Sequence, residues 1–173
     1  IETLSALASL YSVLADIEGK HGGPKRAIEL SDKSLALSRR IFKTRPASTR
    51  FKVMMIVSLS NSLSLNTFVE SGKAKIEKLE ALSVEGLSLC TDLTSADPSN
   101  THFQNLKASL HLRVAQIALQ RKQLQKAEEN FEIAMATSNR LLAMDSSNSK
   151  TLRNAGKSYG GLAVIYAQQQ KKA

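Results

Sequence analysis

Apolar residues recur along most of the chain with the spacing of an amphipathic helix. In one segment they occupy the i, i+4, i+8, i+11 and i+12 places of a single helical face, at Leu106, Leu110, Val114, Ile117 and Ala118. The next segment, after the polar residues 120–123, also follows one helical face, with Leu124, Ala127, Phe131, Ala134, Ser138 and Leu141 alternately three and four residues apart. Because such spacing puts apolar side chains on one side of a helix, the two segments predict a pair of packed helices.

The pattern occurs more than once. At a constant offset of 100 residues, Ala27 falls on Ala127, Leu35 on Met135, Ser38 on Ser138, Arg40 on Arg140 and Ile41 on Leu141. A related turn occurs three times, at spacings of 52 and 48 residues, as Arg45-Pro46-Ala47-Ser48, Asp97-Pro98-Ser99-Asn100 and Asp145-Ser146-Ser147-Asn148. One hundred residues therefore contain two periods, and the sequence predicts a helical repeat protein.

The repeat predicts seven helices, at about 2–18, 24–44, 48–69, 73–94, 99–120, 124–143 and 148–169. They form repeats at about 2–46, 47–97 and 98–145 and a terminal helix at 148–169. Glycines and Pro24 separate the first two helices, and Ser71-Gly72 has the same role in the second repeat. Asp97, Ser99 or Asn100 can cap the helix that follows them. Since only a neighbouring pair can cover each apolar face, we expect residues 1–173 to form one stacked domain.

Small residues at these positions resemble those of tetratricopeptide repeats. The resemblance rests on Ala15 after Leu14, on Ala27 and Ala127 in the second helices, and on the Asp-Pro-x-Asn turn. It implies an all-α, right-handed α-solenoid of stacked antiparallel helix pairs with about 3.5 repeats. The period of 48 to 52 residues exceeds that of the family, about 34, by close to two turns in each helix. This longer form is similar to the arrays of large bacterial signalling proteins, including Ser/Thr kinases.

Composition agrees with helices and limits the classes of function. Hydrophobic residues make up 42% of the chain, aromatic residues only 5%, and Trp is absent, whereas strands favour β-branched and aromatic residues. The 24 basic and 15 acidic residues give a net charge of +9, which can attract nucleic acid, anionic lipid or an acidic protein. No run of 18 apolar residues occurs, so we expect no membrane insertion.

The cysteine content and the first residues indicate a cellular compartment and whether the chain belongs to a longer protein. Cys90 is the only cysteine, so no intrachain disulfide can form, and a reducing compartment is compatible with this. We therefore expect a cytoplasmic location. The chain opens at Ile1-Glu2-Thr3-Leu4 in helical pattern and without an initiator Met, so we expect it to be a piece of a longer protein.

We expect neither an enzyme nor a bound cofactor or metal in this segment. Gly156-Lys157-Ser158 is similar to the end of a phosphate-binding loop, but Thr151 stands where that motif needs glycine. Cys90 lies among leucines and is interpreted as a buried small residue. The other candidates lack catalytic or zinc-binding spacing and are interpreted as structural or solvated residues: His21, His102, His111, Glu128, Glu129 and Glu132.

Resemblance to the family also implies where a partner binds, because the first helix of each pair lines the concave surface there. By position it nominates ten groove residues: Ser12, Asp16, Asn61, Ser64, Phe68, Leu112, Arg113, Gln116, Lys157 and Val164. Some family members bind the C-terminal carboxylate of chaperone peptides through Lys, Asn and Arg, and by position Arg113 and Asn61 match this set. Ser12 and Asp16 stand in two of those positions, so we reject this interpretation.

A second candidate surface is a basic patch near the junction of the first two repeats, at Arg39, Arg40, Lys43, Arg45, Arg50 and Lys52. Such a run is commonly a solubilising face, and the alternative is contact with an acidic partner or with phosphates. Only Phe42 and Phe51 are near enough in sequence to stack on bases, so nucleic acid is the less favoured partner.

These patterns predict a protein–protein interaction scaffold that binds a partner polypeptide of unknown identity in its groove. One alternative is a non-catalytic regulatory module of a larger bacterial signalling protein, for example a Ser/Thr kinase. Another is binding of a polyanion or nucleic acid through the basic patch. The oligomeric state stays open.

Overall fold

The computed structural model describes residues 1–67 and 73–170, and in these ranges the chain forms seven α-helices and no strand. The helices are α1 (Glu2–Lys20), α2 (Pro24–Thr44), α3 (Thr49–Thr67), α4 (Lys73–Ala96), α5 (Thr101–Gln120), α6 (Leu124–Met144) and α7 (Ser149–Gln170). The predicted all-α class and the seven helices are confirmed. The predicted break at Ser71-Gly72 lies outside the described residues.

The helices form two compact units, Ile1–Leu89 and Cys90–Ala173. In the first unit α1 packs against α2 and α2 against α3, and in the second α5 packs against α6 and α6 against α7. Consecutive helices thus pack against each other within each unit, which is consistent with an all-α helical repeat. That the chain forms a single domain and that the stack is right-handed remain predictions.

The predicted offset of 100 residues relates the helices of the two units. Helices α2 and α6 begin and end at equivalent residues, and α3 and α7 begin at Thr49 and Ser149. The turns before α3, α5 and α7 share a backbone hydrogen bond from their fourth residue to the carbonyl oxygen of the first, over 3.1, 3.3 and 3.5 Å. The internal repeat is therefore present in helix ends and turn geometry alike.

Asparagine caps the helices that follow the second and third of these turns. The Asn100 side-chain oxygen accepts a hydrogen bond from the Phe103 amide over 3.2 Å, and the Asn148 oxygen accepts one from Thr151 over 3.1 Å. Asp97 does not cap the helix but stabilises the turn, because its carboxylate accepts hydrogen bonds from the Ser99 hydroxyl and from Nδ2 of Asn100. These hydrogen bonds hold the pKa of the Asp97 carboxyl below its ordinary value.

The connections after α1 and α5 both contain a residue in the left-handed region. Gly22 has a φ of 90°, and Lys122, at the equivalent position 100 residues later, has a φ of 59°. Glycine adopts this conformation without steric cost, whereas a residue with a Cβ does not. The second unit therefore holds a strained backbone at a position where the first unit has glycine.

We expect Lys122→Gly to raise the free energy of unfolding by up to about 1 kcal/mol, and Gly22→Ala to lower it by about 1 kcal/mol. The gain at Lys122 is limited because glycine also increases the freedom of the unfolded chain. Urea unfolding measures both changes. Lys122→Ala is the control, because it removes the long side chain but keeps the Cβ. A gain from alanine equal to that from glycine would show that the backbone conformation is not the cause.

The core of the second unit is built from one aromatic ring and many small side chains. Phe131 is 2% exposed and packs with the buried residues Leu112, Ala115, Ala118, Ala127, Ala134, Leu162 and Ile165. Alanines on α5 and α6 let the two helices approach closely. On α7, Gly161 faces the Phe131 ring, and a Cβ added there would lie 2.6 Å from Cε2 of the ring and closer to two other ring carbons.

The core of the first unit contains hydrogen-bonded serines. Ser34 Oγ donates to the Ala8 carbonyl oxygen over 2.8 Å, and the hydroxyls of Ser38 and Ser58 are hydrogen-bonded at 2.7 Å. These bonds join α2 to α1 and to α3. Because a buried hydroxyl without a partner is costly, the pairs fix the positions of the three helices relative to one another.

Candidate partner-binding surfaces

A groove between α1 and α3 has a volume of about 490 Å³. We call it the α1/α3 groove. It is lined by Glu2, Ser5, Ala6, Ala8, Ser9, Ser12 and Val13 of α1 and by Arg50, Val53, Met54, Val57 and Ser58 of α3. Its surface is mainly apolar, and its volume lies in the range of about 300–1,000 Å³ that is common for binding pockets.

Four predicted groove residues meet beside it. Ser12, Asp16, Asn61 and Ser64 line a smaller pocket of about 50 Å³ together with Ala15 and Leu65. Since Ser12 also lines the α1/α3 groove, the two cavities are adjacent. Asn61 Nδ2 donates a hydrogen bond to Ser12 Oγ over 2.6 Å, and Asp16 forms an ion pair with Lys20 at 2.5 Å. The pocket is therefore the polar end of a mainly apolar groove.

An ion pair also lines the α1/α3 groove. Arg50 donates two hydrogen bonds to the Glu2 carboxylate, at 3.0 and 3.1 Å, and its guanidinium lies 5.8 Å from the centre of the Phe51 ring. The two charges neutralise each other there, and the remaining lining residues are uncharged. The groove is thus suited to apolar side chains, with hydrogen-bonding groups in the adjacent pocket.

In the second unit, the predicted groove residues Arg113 of α5 and Lys157 of α7 are neighbouring cations, and Gln116 lies beside Arg113. Arg113 Nη1 donates to Gln116 Oε1 over 2.9 Å, while its Nε is buried and makes no hydrogen bond with the described residues. Burial lowers the pKa of the Arg113 guanidinium. Burial, and then repulsion by Arg113 and Arg153, lowers the pKa of Lys157. An anionic group placed between Arg113 and Lys157 would reduce this repulsion.

The remaining predicted groove residues have different outcomes. Leu112 is 1% exposed and belongs to the core around Phe131, so the prediction that it lines a groove is wrong. The physical reason is that Leu112 points toward α6, about 100° around the helix from Arg113. Val164 is exposed on α7. Phe68 lies outside the described residues.

The predicted basic patch is partly neutralised. Arg39 forms an ion pair with Glu85 of α4 at 2.5 Å, and Arg50 pairs with Glu2. Lys52 is half-buried. Within the described ranges the exposed cations Arg40, Lys43 and Arg45 form no ion pair. Exposed pairs of this kind are weak and screened by salt, but they lower the positive charge that the patch presents to a polyanion.

Cys90 and His111 were considered as candidates for chemistry, and both are largely buried. Burial raises the pKa of the Cys90 thiol to about 12, which keeps it protonated and unreactive, and its predicted burial is confirmed. His111 Nδ1 is hydrogen-bonded to Asn130 at 2.9 Å, and burial lowers its pKa. Among the described residues no three His, Cys, Asp or Glu side chains are close enough to share a metal ion.

The apolar residues on the α3 side of the groove were not among the predicted groove residues. Val53, Met54 and Val57 line it, while Met55 and Ile56 on the same helix are fully buried. The sequence did contain an indication of this surface, because residues 53–57 are all apolar. A helix that packs through one face only needs apolar residues on that face alone.

Comparison with known proteins gives no relative. No protein-family model matches the sequence, and no curated protein and no solved structure matches it either. None of the described helices is both long enough and apolar enough to cross a lipid bilayer.

Proposed function

We propose that this chain is a protein–protein interaction scaffold that binds a segment of a partner polypeptide in the α1/α3 groove. The observation that carries the proposal is the groove itself, an open and mainly apolar cavity of about 490 Å³ between two helices that α2 holds together. A cavity of this size and lining supports binding of several apolar side chains.

The lining also favours a particular kind of segment. Apolar side chains would bury Val13, Val53, Met54 and Val57. Polar groups next to them would exchange hydrogen bonds with Asn61 and Ser64 in the adjacent pocket. An amphipathic helix with apolar residues three or four places apart has this composition. In the second unit, Arg113 and Lys157 would contact acidic side chains of a partner.

Replacing Val13 with glutamate should weaken binding at least about tenfold, because the bound segment would bury a carboxylate against apolar side chains. Segments of about 20 residues, selected from a display library of the host proteome, would be titrated against the chain by fluorescence anisotropy. Val13 is 57% exposed, so the substitution should leave folding unchanged, which circular dichroism would verify.

The matched control is Val84→Glu, since Val84 is also exposed, at 68%, on α4 of the same unit and lines neither cavity. This variant should bind the selected segments like the unmodified chain. The proposal fails if no segment is selected, or if Val13→Glu and Val84→Glu bind equally well.

A further inference from the structure

The second unit has a surface that corresponds to the α1/α3 groove, and this surface carries cations. Three valines line the groove, and each has a cation in the corresponding place 100 residues later. The pairs are Val13 and Arg113, Val53 and Arg153, and Val57 and Lys157. We call Arg113, Arg153 and Lys157 the cationic face. The repeat therefore presents the same surface twice, once with apolar and once with positively charged side chains.

The cationic face is accessible to a ligand. Arg153 and Lys157 of α7 are exposed, and Arg113 of α5 is half-buried. The counterparts on α3, Val53 and Val57, are also partly accessible, although the chain continues from α3 into α4. The packing of the repeat thus leaves this face open in both units.

No acidic side chain of α5 or α7 neutralises the cationic face, because neither helix contains Asp or Glu. Glu2, the carboxylate that lines the α1/α3 groove, corresponds to His102. Glu128 of α6 lies beside the end of α7, where it accepts a hydrogen bond from Gln169. Within the described ranges the three cations form no ion pair. Their charges are therefore available to an anion from outside the chain.

A buried contact between α5 and α7 holds the three cations close to one another. Asn154, next to Arg153 on α7, donates a hydrogen bond to Ser109 Oγ over 2.8 Å, and Ser109 lies one turn before Arg113 on α5. Burial lowers the pKa of Lys157, and repulsion by Arg113 and Arg153 lowers it further. Because the buried contact fixes the helices in advance, a ligand would lose little affinity to ordering of the site.

Arg113 also has hydrogen-bond donors to spare. Its Nη1 donates to Gln116 Oε1 over 2.9 Å, while its Nε is buried without an acceptor among the described residues. A guanidinium carries five N–H donors, and a buried donor without an acceptor is costly. The oxygen atoms of a bound anion would accept such hydrogen bonds.

We propose that the cationic face binds the phosphate group of a phosphorylated side chain in a partner polypeptide. A phosphomonoester carries a charge of about −1.5 to −2 and three strong acceptor oxygens, so it matches three adjacent cations better than a singly charged carboxylate does. Clusters of arginine are a general means of binding phosphorylated segments.

The extent of the face favours a single phosphate over a nucleic acid. Arg153 and Lys157 are one turn apart on α7, and Arg113 lies opposite them on α5. A nucleic acid would contact a longer track of cations along its backbone. Lys150 does not extend the face, since it lines a different cavity together with Asp145. The proposal rests on the scaffold role proposed above, but it does not require the α1/α3 groove to bind.

Selection from a degenerate library of short peptides, each with one phosphorylated Ser, Thr or Tyr at its centre, tests the proposal. The selected peptide would be titrated by fluorescence anisotropy in its phosphorylated form, in its unphosphorylated form and with glutamate at that place. The phosphorylated form should bind at least about tenfold more tightly than either of the others. The proposal is overturned if no peptide is selected, if the glutamate form binds equally well, or if single-stranded DNA displaces the phosphopeptide at equal concentration.

Two variants with the same change in charge test the location. Arg153→Gln/Lys157→Gln should weaken phosphopeptide binding at least about tenfold, and both residues are exposed, so folding should be unchanged. Arg40→Gln/Lys43→Gln removes two exposed cations of the first unit and should bind like the unmodified chain. Equal losses in the two variants would show unspecific attraction and contradict the proposal. Val13→Glu should leave phosphopeptide binding unchanged, so this site and the α1/α3 groove can fail separately.

Discussion

Replacing Gly161 with alanine should lower the free energy of unfolding by about 1–3 kcal/mol, although alanine is the better helix former. The added Cβ would overlap the Phe131 ring, which Gly161 contacts directly. The ring is buried among Leu162, Ile165 and the alanines of α5 and α6, so it cannot turn away without displacing its neighbours. Overpacking of a dense core is costly for this reason.

The chain provides a matched control one residue earlier. A Cβ at Gly160 would meet nothing within 4 Å, so Gly160→Ala should raise the free energy of unfolding by about 0.5–1 kcal/mol through helix propensity alone. Urea unfolding of the two variants should therefore give changes of opposite sign. Adding Phe131→Leu should remove most of the penalty of Gly161→Ala, because the shorter side chain vacates the overlap. Equal stabilisation at both glycines would contradict the packing described for α7.

Replacing Asn154 with alanine should lower the free energy of unfolding by about 2–3 kcal/mol. Its Nδ2 donates to Asn105 Oδ1 and to Ser109 Oγ, both over 2.8 Å, and Asn105 Nδ2 donates to Thr151 Oγ1 over 2.9 Å. All four side chains are buried between α5 and α7. Without Asn154, the Asn105 oxygen would remain buried without its donor, and the full desolvation cost would appear.

A double-mutant cycle with Asn105→Ala separates the energy of the Asn154–Asn105 hydrogen bond from the cost of removing side-chain volume. The double variant should be more stable than the sum of the single effects predicts, by about 1 kcal/mol or more, because each single change leaves its partner unsatisfied. Asn139→Ala is the control: its Nδ2 bonds Tyr159 at an exposed site over 2.8 Å, and its loss should change stability by less than about 0.5 kcal/mol. Additive effects at Asn105 and Asn154 would show that the network contributes no coupling.

The helices and the repeat could be predicted because their signals are local. Pro24 begins α2, and the recurring turns end α2, α4 and α6 at the expected places. Each of these signals acts through the backbone of a few neighbouring residues, so it predicts the same helix start or turn in any surrounding fold. The left-handed conformation of Lys122 was harder to predict, because the sequence has no glycine at that position. Only the equivalence with Gly22, 100 residues earlier, indicates that the backbone needs a positive φ there.

The surfaces were harder to predict because they depend on which helix covers which face. Ser12, Asp16 and Asn61 were nominated by their positions in the predicted repeat, and they line one small pocket. That this pocket binds a partner remains a prediction. Periodicity alone could not show that Leu112 points into the core or that Leu10 does not. The hydrogen bond between Asn105 and Asn154 joins residues 49 positions apart. A local sequence pattern cannot predict a contact over that separation.

The hydrogen-bonded serines between α1, α2 and α3 have a consequence for how stability varies with temperature. Burying Ser34, Ser38 and Ser58 means that unfolding exposes more polar and less apolar surface than the loss of an aliphatic core would. Apolar exposure raises the heat capacity of the unfolded chain, and polar exposure lowers it. The first unit should therefore have a slightly smaller heat-capacity change, and a slightly flatter stability curve, than the same unit with aliphatic side chains at these three positions.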